Sequence, residues 1–124
     1  MKKNKTSKSN ILFISSLTGA QVYDLPYGLS KSCMNSLVGG LSRRYIKDGI
    51  RVNGLAPGIT RTKITEDYID QNDENLATNS APGRVFLPEE MAEVACFLLS
   101  DCSTCISGEV INCDCGDHYS CPIN

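Results

Sequence analysis

Long apolar runs are scarce near the start of this chain of 124 residues. The stretch that follows its basic beginning, Ile11-Leu12-Phe13-Ile14, is too short for a membrane span or the core of a signal peptide. The chain is therefore read as cytoplasmic. An excess of charge of one sign is also missing: the net charge is −2, with 21% charged and 41% hydrophobic residues. Such a balance leaves no electrostatic footprint for nucleic acid or a membrane surface, so the expected partner is a small molecule or another protein. There is no internal repeat and no low-complexity segment. The single histidine, His118, is expected in an exposed tail, not as a ligand or base.

Cysteine, by contrast, is abundant. The seven cysteines are an odd number, which argues against a complete set of intrachain disulfides. Cys102, Cys105, Cys113, Cys115 and Cys121 crowd the last quarter and supply enough thiolates for a tetrahedral zinc site. Their spacing is irregular, however, and no metal site is assigned. Cys102-Ser103-Thr104-Cys105 also lacks the setting of a thioredoxin-like redox pair, at a helix start after a strand. Most of these cysteines are expected to be small buried hydrophobes.

The length is that of one domain, able to bury roughly two-thirds of its unfolded surface. Residues 1–9, rich in lysine, read as a solvated loop or frayed helix end. Ile11 to Ile14, bounded by Ser15-Ser16 and Thr18-Gly19, has the look of a parallel strand buried on both faces, from about 10 to 15. Asp24 and Pro26 then supply a helix start. Tyr27, Met34, Leu37, Val38, Leu41 and Tyr45 follow helical spacing as far as Asp48-Gly49. Ile50 to Ala56 reads as a second strand, stopped by Pro57-Gly58. Strand, helix and strand make one right-handed crossover unit of a parallel sheet. Residues 59–87 are polar and acidic with weak periodicity, and admit a short helix from about 62 to 71. A clear helix starts at Pro88-Glu89-Glu90 and ends near Ser100. Glu109 to Cys113 is a third strand, and residues 117–124 form a tail without regular pattern.

Tyr27-Gly28-Leu29-Ser30-Lys31 opens the long helix. Residues four apart on a helix share a face, so a phenol and an ammonium point together. A cation beside a phenol favours the phenolate, which makes the group a proton donor usable near neutral pH.

Taken in order, these features form a set: a strand ending in Ser15-Ser16, Tyr27-x-x-x-Lys31, Arg51-Val52-Asn53 leading to Pro57-Gly58, then Thr60 and Thr62, Gly83-Arg84 with Pro88-Glu89-Glu90, and Ser107-Gly108-Glu109-Val110 before Asp114-Cys115-Gly116. The set resembles the C-terminal half of a short-chain dehydrogenase/reductase, the family that includes the 3-oxoacyl-carrier-protein reductases, across residues 10–116. The resemblance implies an α/β fold, namely the C-terminal half of a doubly wound, Rossmann-like parallel sheet with about three strands and two main helices. It implies NAD(P)-dependent carbonyl reduction or alcohol oxidation. Ser16 would hold the substrate carbonyl, Tyr27 would transfer the proton, and Lys31 would assist it and bind the nicotinamide ribose. Pro57, Gly58, Thr60 and Thr62 would hold the carboxamide of NAD or NADP, and residues 59–87 would shape the pocket for a small ketone or alcohol. Asn53 is assigned to structure.

Departures from the family pattern matter as well. The interval from Ser16 to Tyr27 is shorter than usual, which leaves Ser15 as a competitor for the serine's role. Cys115 stands where the family has the first of two glycines. No glycine-rich turn for a cofactor pyrophosphate is present, since Gly39-Gly40 lies inside the long helix. The nucleotide-binding half is therefore expected to be absent, with a sheet edge and an apolar helix face uncovered and the chain by itself weak or inactive. Two other readings stand beside this one: a truncated, non-catalytic relative that assembles through the helix spanning 25–46, as a homo-oligomer or with a full-length relative, and a cysteine-rich zinc-binding module.

Overall fold

The computed structural model describes residues 9–22 and 24–119. The lysine-rich start, apart from Ser9, lies outside them, as does Cys121. Strands β1 (Ser9–Ile14), β2 (Ile50–Pro57) and β3 (Val110–Cys113) form one parallel sheet in the order β1-β2-β3. Helix α1 (Pro26–Tyr45) makes the crossover from β1 to β2, and α2 (Glu66–Asn79) and α3 (Pro88–Leu99) lie between β2 and β3.

β2 is central and almost wholly buried. Its side chains alternate between the two faces of the sheet. A Cβ on Gly54 would lie 3.4 Å from Val38 of α1 and 3.0 Å from Val110, so α1 lies close against this face. On the opposite face Arg51 is buried and donates to the carbonyls of Ser100, Ser103 and Ile106. Asn53 beside it donates to Ile106 and accepts from the Glu109 N–H. These bonds tie the segment after α3 to the sheet and give Asn53 the structural role expected of it. With helices on both faces, the architecture is α/β and doubly wound.

Several boundaries differ from those expected. β1 starts at Ser9, inside the expected loop, and it is not buried on both faces, because Ile11 and Ile14 are exposed at the sheet edge. α1 is not capped by Asp24; Leu25 holds the cap position without a side-chain bond, and Pro26 supplies the first turn. Gly49, at φ +78°, closes the short 3-10 turn that follows. α2 runs well past the expected 62–71 and makes a third helix. Its composition is so polar that, among the described side chains, only Ile69 and Leu76, seven positions or about two turns apart, mark a buried stripe.

The start of the tail, residues 117–119, is more ordered than its sequence suggested. Asp114, almost fully buried, accepts from the N–H groups of Gly116 and His118 and lies 2.8 Å from His118 Nδ1. His118 is thus largely buried and held, not exposed. Nor are the cysteines among the described residues buried: Cys33, Cys96, Cys102, Cys105 and Cys115 are exposed, and Cys113 is partly covered. Among the described residues no group of three His, Cys, Asp or Glu side chains converges as a metal site requires. No helix among them is long and apolar enough to cross a membrane.

Candidate active site

The carboxyl ends of β1 and β2 open into a cleft of about 670 Å³. Ser16, Tyr27, Lys31, Pro57, Gly58, Thr60 and Thr62 all line it. Residues separated by up to 46 positions in the chain are thereby brought together, because parallel strands deliver their following loops to the same end of a sheet.

Lys31 is held by the sheet. Ser15 N–H donates to Leu55 O, so alternation along β1 turns the Ile14 carbonyl away from β2, toward the open edge. Lys31 Nζ donates to that carbonyl at 3.0 Å. Its ammonium also lies 5.4 Å from the centre of the Tyr27 ring, within cation–π range. With no other hydrogen-bond partner among the described residues, it has two of its three donors to offer a ligand. Tyr27 is 57% exposed, and its hydroxyl has no hydrogen-bond partner among the described residues.

The two serines are distinguished by their partners. Ser15 is 4% exposed and donates to Asn35 Oδ1 at 2.5 Å, which locks β1 to α1. Ser16 is only partly buried, and its hydroxyl caps the 3-10 turn Leu17–Gly19, accepting from Thr18 N–H and Thr18 Oγ1. A Cβ on Gly19 would lie 2.9 Å from Asn35 Nδ2 and 3.0 Å from the Lys31 backbone carbonyl carbon, so glycine lets the turn lie close against α1.

The loop after β2 is stitched by a residue that the sequence did not single out. Thr65 Oγ1 donates to Thr60 O at 2.6 Å, accepts from Thr62 N–H and contacts Thr62 Oγ1 at 3.0 Å. Gly58 lets this loop lie against Phe86 and Asp114, where a Cβ would come within 2.8 and 3.0 Å of them. Phe86 N–H and carbonyl bond Ile59 and Arg61 and fasten the loop to the start of α3. There Arg84 grips both carboxylate oxygens of Glu90, which also accepts from Leu87 N–H. The Arg84 bond, followed by the Leu87 bond, lowers the Glu90 pKa to about 2. Ile14, Leu17, Ile59, Ile64, Tyr68 and Met91 give the cleft an apolar wall. Tyr68 and Ile64 fall within residues 59–87, the segment expected to shape the pocket, but their polar surroundings in sequence did not single them out.

A family model described as enoyl-(acyl carrier protein) reductase matches residues 1–118. The chain belongs to the short-chain dehydrogenase/reductase family. It is 32% identical over 121 residues to the uncharacterized oxidoreductase YmfI of Bacillus subtilis (strain 168), covering 95% of this chain and 49% of that protein. Among solved members of the family, a gluconate 5-dehydrogenase from Burkholderia cenocepacia in complex with NADP and tartrate superposes with a TM-score of 0.80 at 27% identity, covering 86% of this chain and 44% of the other. A 4-hydroxyisoleucine dehydrogenase complexed with NADH gives the same score and identity and covers 86% and 46%. The family uses NAD(P). The chain spans about half the length of the curated relatives it matches.

Proposed function

We propose that this chain carries the proton-transfer half of an NAD(P)-dependent carbonyl reductase or alcohol dehydrogenase. The observation behind the proposal is the single cleft lined by Ser16, Tyr27, Lys31 and the loop from Pro57 to Thr62. These residues suit the nicotinamide end of the cofactor: Lys31 has spare donors for ribose hydroxyls, and the Pro57-Gly58 turn with Thr60 and Thr62 offers polar groups for a carboxamide. Nothing in the sequence suits the pyrophosphate end, for which a glycine-rich turn would be needed. When bound, the nicotinamide would supply or take up the hydride.

The chain's own residues then manage position and charge. Ser16 holds the carbonyl oxygen by a hydrogen bond. Tyr27 gives that oxygen its proton, and the Lys31 ammonium stabilises the phenolate left behind. The apolar wall of the cleft favours a ketone or secondary alcohol with an apolar body. The five exposed free cysteines among the described residues suit a reducing compartment, which supports a cytoplasmic setting.

The deciding experiment joins this chain to the glycine-rich first half of a relative such as YmfI and measures NADPH- and NADH-dependent reduction of a panel of apolar ketones. Turnover that depends on Tyr27 is the expected result. A folded, cofactor-binding chimera with no turnover on any ketone would overturn the proposal. A second reading, assembly without catalysis, draws on the exposed stripe of Leu29, Cys33 and Leu37 on α1. It predicts a homo-oligomer, or a complex with a full-length relative, in the solution mass.

A further inference from the structure

We propose that Cys102 and Cys105 form a thiol–disulfide exchange site built by the fold. The pair does not depend on the carbonyl-reductase reading and lies on the segment after α3, away from the cleft. Asp101–Ser103 is a 3-10 turn, Thr104 continues it at φ −60° and ψ −24°, and Ile106 N–H closes a further turn on Ser103 O at 2.9 Å. With three residues per turn and about 2 Å of rise each, side chains at i and i+3 eclipse at about 6 Å. That separation lies within the range of Cα distances that a disulfide spans, roughly 4.4–6.8 Å. Both thiols are exposed, while Ser103 between them is fully buried.

The turn is anchored from beneath. Arg51 donates to the carbonyls of Ser100, Ser103 and Ile106 and to Ser103 Oγ. Ser103 Oγ is also within bonding distance of the carbonyls of Phe97 and Leu98. The two cysteines therefore ride on a backbone that is fixed before any reaction occurs, and this lowers the entropy cost of joining them. Cys113, the partly buried thiol, is a poor competitor: burial, then the nearby Asp114 and Cys115, raise its pKa.

The co-reactant is a small-molecule disulfide. One thiolate of the pair attacks a sulfur of it, the S–S bond breaks, and one small thiol leaves. The second thiolate attacks the protein-side sulfur of this mixed disulfide, the Cys102–Cys105 bond forms, and the second small thiol leaves. The protein loses two protons and two electrons, and the small disulfide gains both.

The test equilibrates the full chain with mixtures of reduced and oxidised glutathione, quenches with acid, alkylates, and cleaves after Asp and Glu. Cleavage after Asp101 and Glu109 releases the fragment 102–109, whose only thiols are Cys102 and Cys105. The expected fragment has lost two hydrogens and carries no glutathione, whereas Cys33 carries an adduct. Half-oxidation of the pair should need about tenfold less oxidised glutathione in native buffer than in concentrated urea. In Cys105→Ser the same fragment should instead carry one glutathione. Two adducts on the wild-type fragment, a fragment that stays reduced, or equal requirements in buffer and urea would each overturn the proposal.

Discussion

Tyr27 and Lys31 are one helical turn apart, yet Lys31 is aimed by a strand. Its bond to Ile14 O fixes where the ammonium stands relative to the phenol. In the chimera described above, Tyr27→Phe should lower kcat about 10²–10⁴-fold, the usual weight of a positioned proton donor, with little change in cofactor binding. Unchanged kcat would remove Tyr27 from the chemistry. Cys115 poses a different residue-scale question. It sits at φ +54°, followed by Gly116 at φ +88°. A side chain in the left-handed region costs roughly 1–2 kcal/mol, so Cys115→Gly should stabilise the fold by about 1 kcal/mol. Thermal melts of the two proteins would check this, and a lower midpoint for the glycine variant would contradict it.

At the scale of elements, the start of α3 depends on one carboxylate. Glu90 serves Arg84 and the Leu87 N–H together, and its pKa falls from 4.5 to about 2. A depressed carboxylate pKa stabilises the folded state above the unfolded value and ceases to do so as pH falls through the folded one. The Glu90 contribution is therefore present above about pH 4.5 and fades toward pH 2. Melting midpoints followed across that window should fall more steeply in the wild type than in Glu90→Gln, and parallel curves would refute the assignment. The segment from Ser100 to Ile106 hangs on Arg51 in the same way. Arg51→Met would remove the cationic donor that the Ser100, Ser103 and Ile106 carbonyls share, while each keeps a second, neutral donor, and should cost about 2 kcal/mol, measurable by urea unfolding.

At the scale of the whole molecule, the sheet ends at β1 with Ile11 and Ile14 uncovered, and α1 shows Leu29 and Leu37 to solvent. An open strand edge beside an apolar helix face favours association with another chain. The isolated chain should self-associate at micromolar concentration in sedimentation, and it should bind NADH and NADPH no tighter than the millimolar range, because no backbone turn cradles the pyrophosphate. A stable monomer, or micromolar cofactor binding in a fluorescence titration, would show that the chain is self-sufficient.

Local chemistry made much of this legible in the sequence. Buried parallel strands leave apolar runs, proline and glycine punctuate helix ends, and the Tyr27 to Lys31 spacing follows from helical geometry alone, so the α/β order and the polar residues that line the cleft from Ser16 to Thr62 could be read along the chain. What depends on contacts between distant segments could not. Thr65 stitches a loop through backbone atoms that carry no side-chain signature, and α2 is anchored by Ile69 and Leu76 in a polar stretch. His118 is held by a partner four positions away on a turn that Cys115 disguises, and the different partners of Ser15 and Ser16 depend on where Asn35 comes to lie. Sequence pattern records which faces are apolar, whereas the tertiary structure decides which polar groups meet across them, because those bonds form between elements that only the packed sheet brings together.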